Sequence, residues 1–408
     1  MKQYQIITKY VKMKFKPINP EGIILLQMKT NTKIKVIQII CITITIVFAL
    51  SCSTSKDKFI PGEFDYTKND VIRKIHVLKG QKVEIDSSLL NIAENDIEMI
   101  INKERLFVKQ PLRKLGMESV VKSFTIETQN EKTRLIFEKD YGRIEDESYY
   151  AYYLPQLLKS WDDTAQINIL DTDIGNIYTI LNNCDFRKLP DKTISTKAKV
   201  PHAMRLWTHY AYPSGNKNEW FFIGTQPQKE KSIYKSVNYP DSVVVSEVFH
   251  LNLDAEIDSW IAYLGNFAFN PQKQIGVYGY TYYPQIRFFN MATGDTKIIS
   301  LQGKSYDPET RFIGDGLDLN SHYYRNISIT EEYVYFLFLG GRNWENIKED
   351  NKNENYFVYI MKFDWYGNPI KVMKTDQFGY SFCVSDDDSF MLLYSFDKKS
   401  PVYLYNLK

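Results

Sequence analysis

Five histidines, 49 aspartates and glutamates and four cysteines are the side chains of this 408-residue chain that could carry acid–base, nucleophilic or metal chemistry. His202 and His209 are closest together, seven apart in Pro201-His202-Ala203-Met204-Arg205-Leu206-Trp207-Thr208-His209. That spacing is no ligand spacing for a strand or short helix, and no Cys or acid beside them completes a set. His76, His250 and His322 stand alone. Asp315-Gly316-Leu317-Asp318-Leu319-Asn320 gathers oxygen ligands around a glycine, as a Ca²⁺ loop does, but lacks the alternating ladder and the distal bidentate Glu. Asp171 and Asp173 are a further acidic pair, and Asp386-Asp387-Asp388 reads as a solvated turn. Paired carboxylates for glycoside hydrolysis come from distant strands and leave no local spacing to find. Gly-x-Ser-x-Gly elbows, phosphate loops and dinucleotide fingerprints do not occur. The residues thus define no catalytic, metal or cofactor site, and none is expected.

Cys52 is different, because of what precedes it. Val36–Leu50 is an apolar run broken only by Gln38, Thr43 and Thr45, with Lys29, Lys33 and Lys35 before it. A basic region, a short apolar core and small residues make a secretory signal rather than a stable membrane span. The run ends Phe48-Ala49-Leu50-Ser51-Cys52 and resembles a bacterial lipobox, in which the cysteine is acylated and becomes the mature N-terminus. Ala49 stands where Leu is commoner. Two acyl chains and an acylated amine would anchor the chain stably. An ordinary cleaved signal and an uncleaved anchor helix are the alternatives. Met28-Lys29-Thr30-Asn31 is a natural signal start, so residues 1–27 read as a non-native extension, 28–51 as the signal, 52–69 as the lipidated Cys52 with its polar tether, and 70–408 as the folded body. Cys41 lies inside the signal. Nothing in the spacing of Cys184 and Cys383 argues for a disulfide.

The charge divides at the same point. Residues 1–51 hold eight lysines and one acid, whereas the remaining 357 hold 43 basic and 48 acidic residues, a net −5. A mildly acidic body removes the electrostatic basis for binding nucleic acid. With 30 Tyr and 24 Phe, the composition leans towards strands.

Those strands repeat. Phe267–Pro271 leads into Ile275–Thr281, Ile327–Glu331 into Tyr333–Leu339, and Phe382–Asp386 into Phe390–Ser395: each is a strand, a polar turn and a more apolar strand. Third strands follow at Ile286–Phe289, Phe357–Phe363 and Val402–Tyr405. Met291-Ala292-Thr293-Gly294-Asp295 and Asp364-Trp365-Tyr366-Gly367-Asn368-Pro369 turn into fourth strands at Ile298-Ile299 and Ile370–Val372. In the first half, Ile97–Phe137 reads as one unit, and Ile167–Leu170 with Ile177–Ile180 as part of another. Ser148–Ser160 reads as a short helix or an irregular loop, and Leu89–Ala93 as one helical turn. The fold class is therefore all-β, a propeller of four-stranded antiparallel blades. Dividing 357 residues by six gives about 60 per blade, matching the 60- and 55-residue steps between Phe267, Ile327 and Phe382. Seven blades of about 45 residues or a large β-sandwich are the alternatives.

Trp260–Pro271, Tyr333–Gly340, Phe363–Lys371 and Tyr394–Leu407 together resemble the TolB-like six-bladed propeller lipoproteins of Bacteroidetes-type bacteria, best over residues 250–408. The resemblance implies a fold and a compartment, and it carries over no catalytic residue.

Two functions follow as expectations. The first is a non-enzymatic binding or scaffolding propeller, held in the cell envelope by membrane lipid through acylated Cys52 and engaging an envelope protein or glycan. Its anchor would lie in the outer membrane ahead of the inner, with the body in the periplasm or at the cell surface. The second is a polysaccharide hydrolase or lyase with axial carboxylates or His. Aromatics at His209–Pro213, Trp220–Phe222 and Tyr280–Tyr283 would stack on sugars at a propeller mouth or fill the space between blades. Asp163-Thr164-Ala165 and Asp241-Ser242-Val243 resemble O-glycosylation triplets.

Overall fold

The computed structural model describes residues 58–408 except 86–96, 112–117, 131, 142–151, 154–155, 162–164, 172–175, 182–194, 200–206, 217, 226–230, 254–259, 302–311, 314–315, 318–320, 344–355 and 398–399. The described chain opens with short pieces: β1 (Gly62–Asp65), one helical turn (Asp70–Arg73), β2 (Ile75–Val77) and β3 (Gln81–Lys82). Asn69 caps the helical turn by accepting from the amides of Val71 and Ile72, the usual way of satisfying first-turn donors.

Six blades follow. Blade I holds β4 (Glu98–Asn102), β5 (Arg105–Pro111), β6 (Glu118–Gln129) and β7 (Lys132–Tyr141), with β8 (Tyr152–Tyr153) paired to β6. Blade II holds β9 (Gln156–Lys159), β10 (Ala165–Asp171), β11 (Asn176–Leu181) and β12 (Ser195–Lys199). Blade III holds β13 (Trp207–Pro213), β14 (Glu219–Thr225), β15 (Lys231–Asn238) and β16 (Val243–His250). Blade IV holds β17 (Gly265–Asn270), β18 (Ile275–Tyr280), β19 (Gln285–Asn290) and β20 (Thr296–Ser300). After a small hairpin of β21 (Phe312–Ile313) and β22 (Gly316–Leu317), blade V holds β23 (Ser321–Ile329), β24 (Tyr333–Asn343), β25 (Tyr359–Asp364) and β26 (Pro369–Lys374). Blade VI holds β27 (Gly379–Val384), β28 (Phe390–Ser395) and β29 (Val402–Asn406), and takes its fourth strand, β3, from the far end of the chain.

The first strands of the blades, β4, β9, β13, β17, β23 and β27, touch their neighbours in that order, and β27 touches β4. The ring is closed, and these six strands surround its axis. Six blades, rather than seven or a sandwich, is the observed architecture. Residues 156–159, expected in a helix or loop, form the axial strand of blade II. Leu89–Ala93 lies outside the described residues.

Aromatic side chains interleave between blades, stepping outward from the axis. Blades III and IV meet through Tyr212 on Phe267, Phe221 on Phe269 and Phe249 on Phe289, with ring centroids 4.8–5.8 Å apart. Blades IV and V meet through Phe288 and Phe363, and there Gly279 is required: a Cβ on it would lie 2.7 Å from Phe336. The expected turn glycines, Gly294 and Gly367, both have positive φ, which glycine adopts without steric cost.

The N-terminal pieces form a belt around the rim. β1 adds in parallel to β20 of blade IV, β2 adds in parallel to β26 of blade V, and β3 completes blade VI. Glu84 then exchanges backbone hydrogen bonds with blade I, its amide to Thr133 and its carbonyl from Leu135. Residues 62–65, expected in the tether, are thus part of the fold.

Candidate functional site

An axial cavity of about 280 Å³ lies inside the ring of first strands. Polar groups on its wall include Glu98, Lys159, Tyr210, Asn266, Asn326 and Ser328, with Arg325 and Tyr282 beside them.

Most of these groups tie one blade to the next. Glu98 of blade I accepts from Lys109 Nζ at 3.1 Å and from the Leu157 amide of blade II at 2.8 Å. Lys109 is buried, so this ion pair is shielded from water on its cationic side. Gln156 of blade II accepts from the Tyr210 amide of blade III at 2.5 Å. The β13–β14 register shifts between His209 and Tyr212, and Tyr210 sits there at φ 51°, a conformation rare for a bulky residue. Its hydroxyl donates to Asn266 Oδ1 of blade IV at 2.9 Å. Asn266 in turn donates to the Tyr324 carbonyl of blade V, and Asn326 of blade V donates to Ser381 of blade VI.

Lys159 reaches furthest. It starts from blade II, yet its Nζ donates to the Ile329 carbonyl of blade V at 3.3 Å and to Asp386 of blade VI at 2.6 Å. Blades II and V stand opposite each other in a ring of six, so this side chain spans the axis. Trp161, two residues on, lies edge-to-face with the buried Trp365 of blade V at 6.3 Å.

The Asp386-Asp387-Asp388 turn lies between β27 and β28 as expected, with Asp387 exposed, while Asp386 and Asp388 also bind groups from other blades. Asp386 also accepts from the Lys103 amide of blade I, and Asp388 accepts from Thr330 and from Tyr335 at 2.5 Å. Burial, then the Asp388 carboxylate, raises the Tyr335 phenol far above its ordinary range. Hydrogen bonds from Ser389 and Ser385 hold the Asp387 carboxyl well below the usual range.

The other candidates are dispersed. His322 is buried against Tyr282 at 5.2 Å, His250 is exposed with its Nδ1 2.8 Å from Glu247, and His76 lies on β2. His202, Cys184, Asp173, Asp315, Asp318 and the side chain of His209 lie outside the described residues. Cys383 is a free buried thiol, pushed up by burial. Among the described residues no three His, Cys, Asp or Glu side chains group for a metal ion, and no helix is long and apolar enough to cross a membrane. Of the expected aromatics, Tyr210, Tyr212 and Tyr282 line the cavity, whereas Phe221, Phe222, Tyr280 and Tyr283 are buried between strands. Cys52 precedes the described residues.

No motif points to Glu98, Lys159, Asn266 or Asn326. The repeat itself carries a signal. Aligned on Phe267, Ile327 and Phe382, the preceding residues are Asn266, Asn326 and Ser381, the polar links between blades IV, V and VI. Three residues after Phe267, Ile327 and Phe382 stand Asn270, Thr330 and Ser385. Each caps the turn after its axial strand by accepting backbone amides.

The comparison with curated proteins finds no match. Among solved structures, the calcium-binding protein regucalcin from Agrobacterium tumefaciens is 12% identical, with a TM-score of 0.42 over 82% of this chain and 95% of that one. A member of the DUF4221 family from Bacteroides vulgatus is 7% identical, with a TM-score of 0.41 over 76% of this chain and 91% of that one. Residues 258–387, which span blades IV and V and the first strand of blade VI, match the family model described as TolB-like 6-blade propeller-like, the family whose resemblance Trp260–Pro271 and Phe363–Lys371 carry.

Proposed function

We propose that the chain is exported, acylated at Cys52 and held at the cell envelope, where the propeller binds a small polar ligand or a projecting glycan at its axial cavity without turning it over. The observation that carries this reading is the state of Glu98. The cavity's carboxylate is already committed to Lys109 and the Leu157 amide, whereas glycoside hydrolysis calls for a pair of carboxyl groups free to exchange protons and attack. Amides, hydroxyls and an aromatic wall instead suit recognition of hydroxyl-rich molecules.

Titration of the purified full-length chain against a panel of neutral and acidic saccharides tests the binding role. Saturable binding without product, weakened about fivefold by Asn326→Ala, is the expected result, since one lost hydrogen bond costs about 1 kcal/mol. Product formation abolished by Glu98→Gln would replace this reading with the hydrolase or lyase. The anchor is tested separately by metabolic labelling with radioactive palmitate: the label is expected on the wild type and absent from Cys52→Ala, and an unlabelled wild type would remove the lipoprotein assignment.

A further inference from the structure

The belt presents cations and apolar side chains on one stretch of rim. Residues 68–82 contain Lys68, Arg73, Lys74, Lys79 and Lys82 against a single acid, Asp70, a net +4. The chain from Cys52 onward is net −5, so everything outside this stretch sums to −9. All five cations are exposed. Lys82 lies 3.8 Å from Asp397, and Arg73 Nε donates to the Thr67 carbonyl. Asp376, the nearby acid, accepts from the Gly80 amide and the Tyr405 hydroxyl. Lys74 and Lys79 make no ion pair among the described residues.

Between those two lysines, β2 is the outermost strand of blade V and pairs only with β26. Its Ile75 is 46% exposed and Val77 68%, two residues apart and therefore on the same side of the strand. Ile370, on the neighbouring β26, is 42% exposed. Edge strands ordinarily turn charge rather than Ile and Val towards solvent. Apolar side chains flanked by lysines form the pattern by which proteins rest on anionic membranes: the cations are drawn to the headgroups and the apolar groups enter the interface.

We propose that this strip, Lys68–Lys82 with Ile75 and Val77 at its centre, docks on an anionic lipid surface. The inference rests on the anchored reading for the presence of the bilayer. The nine residues between Cys52 and Gly62 extend at most about 30 Å, so an acylated Cys52 would keep the belt within reach of the headgroups.

Hydrogen–deuterium exchange on the purified full-length chain tests this, with the protein bound to vesicles of phosphatidylcholine alone or of phosphatidylcholine with phosphatidylglycerol. Exchange over residues 68–82 is expected to be about threefold slower or more on the anionic vesicles, with the difference erased by high salt and by Lys74→Glu with Lys79→Glu. Both lysines are exposed, so the variant is expected to fold. Attachment to both vesicles with equal exchange over 68–82, or a difference that the double variant retains, would overturn the docking strip and leave the anchor standing. Attachment to anionic vesicles alone, with slowed exchange at the strip, would support docking and remove the anchor. Attachment to neither would overturn both.

Discussion

Lys231 is the side chain whose placement costs the fold most visibly. It is 2% exposed at the start of β15, and burial lowers its ammonium from 10.5 to about 7. An unfolded chain keeps that lysine protonated up to its ordinary value, while the folded chain releases the proton near 7. Between about 7 and 10.5 the unfolded state therefore holds the extra proton, and Lys231 makes stability rise with pH there, by at most about 1.4 kcal/mol per unit. Replacing it with methionine removes the charge and keeps most of the volume. Urea melts at pH 7 and pH 10 are expected to show Lys231→Met more stable than wild type at the lower pH, with the gap closing at the higher. A gap that stays constant would mean the ammonium keeps its charge in the fold. At the same scale, the Asp386–Asp388 turn is legible as an exposed acidic turn, but composition does not show Lys159 and Thr330 arriving at it from other blades.

At the scale of elements, blades IV to VI were legible because their strands are regular and their turns are marked. Phe267, Ile327 and Phe382 fall on β17, β23 and β27, and the glycines at 294 and 367 fall where strand three turns into strand four. Blade I was placed correctly by Leu106, Phe124 and Leu135. Blade II was half legible: Ile167–Leu170 and Ile177–Ile180 are β10 and β11, but Gln156–Lys159 is too short to show alternation. The belt was invisible for the same reason. Strands of four, three and two residues carry no period, and what makes them strands is the edge that receives them. The cavity was legible only as a position. Its polar groups are set by register against neighbouring blades, which one strand's sequence does not record.

For the whole molecule, the question is what keeps a ring of six sheets rigid around its axial cavity. Neighbouring blades share aromatic contacts, and Trp161 against Trp365 adds one between the opposite blades II and V. Lys159 acts across the ring, linking blade II to blades V and VI at once. A double-mutant cycle between Lys159→Ala and Asp386→Asn is expected to give a coupling of about 1 kcal/mol in thermal or urea unfolding, in line with a partly exposed pair. Lys159→Ala alone is further expected to weaken any axial ligand, because the walls it ties together would be free to shift. Ligand affinity unchanged in that variant would show that the cavity's shape is set by the blades alone.

The pairing of Lys82 with Tyr403 fixes a moment in the life of the chain. As the chain threads out from its N-terminal side, residue 82 becomes available long before residue 403, and until the second arrives the first has no partner. Blades can form one by one as they emerge, each a local antiparallel sheet, but the circle stays an open arc with two raw edges. During that interval the edges are templates for any other extended chain. Until β29 is available to receive β3, blade VI therefore lacks half of its strands. A stop codon that removed only β29 would leave β3 without the strand it pairs with and blade VI with β27 and β28 alone.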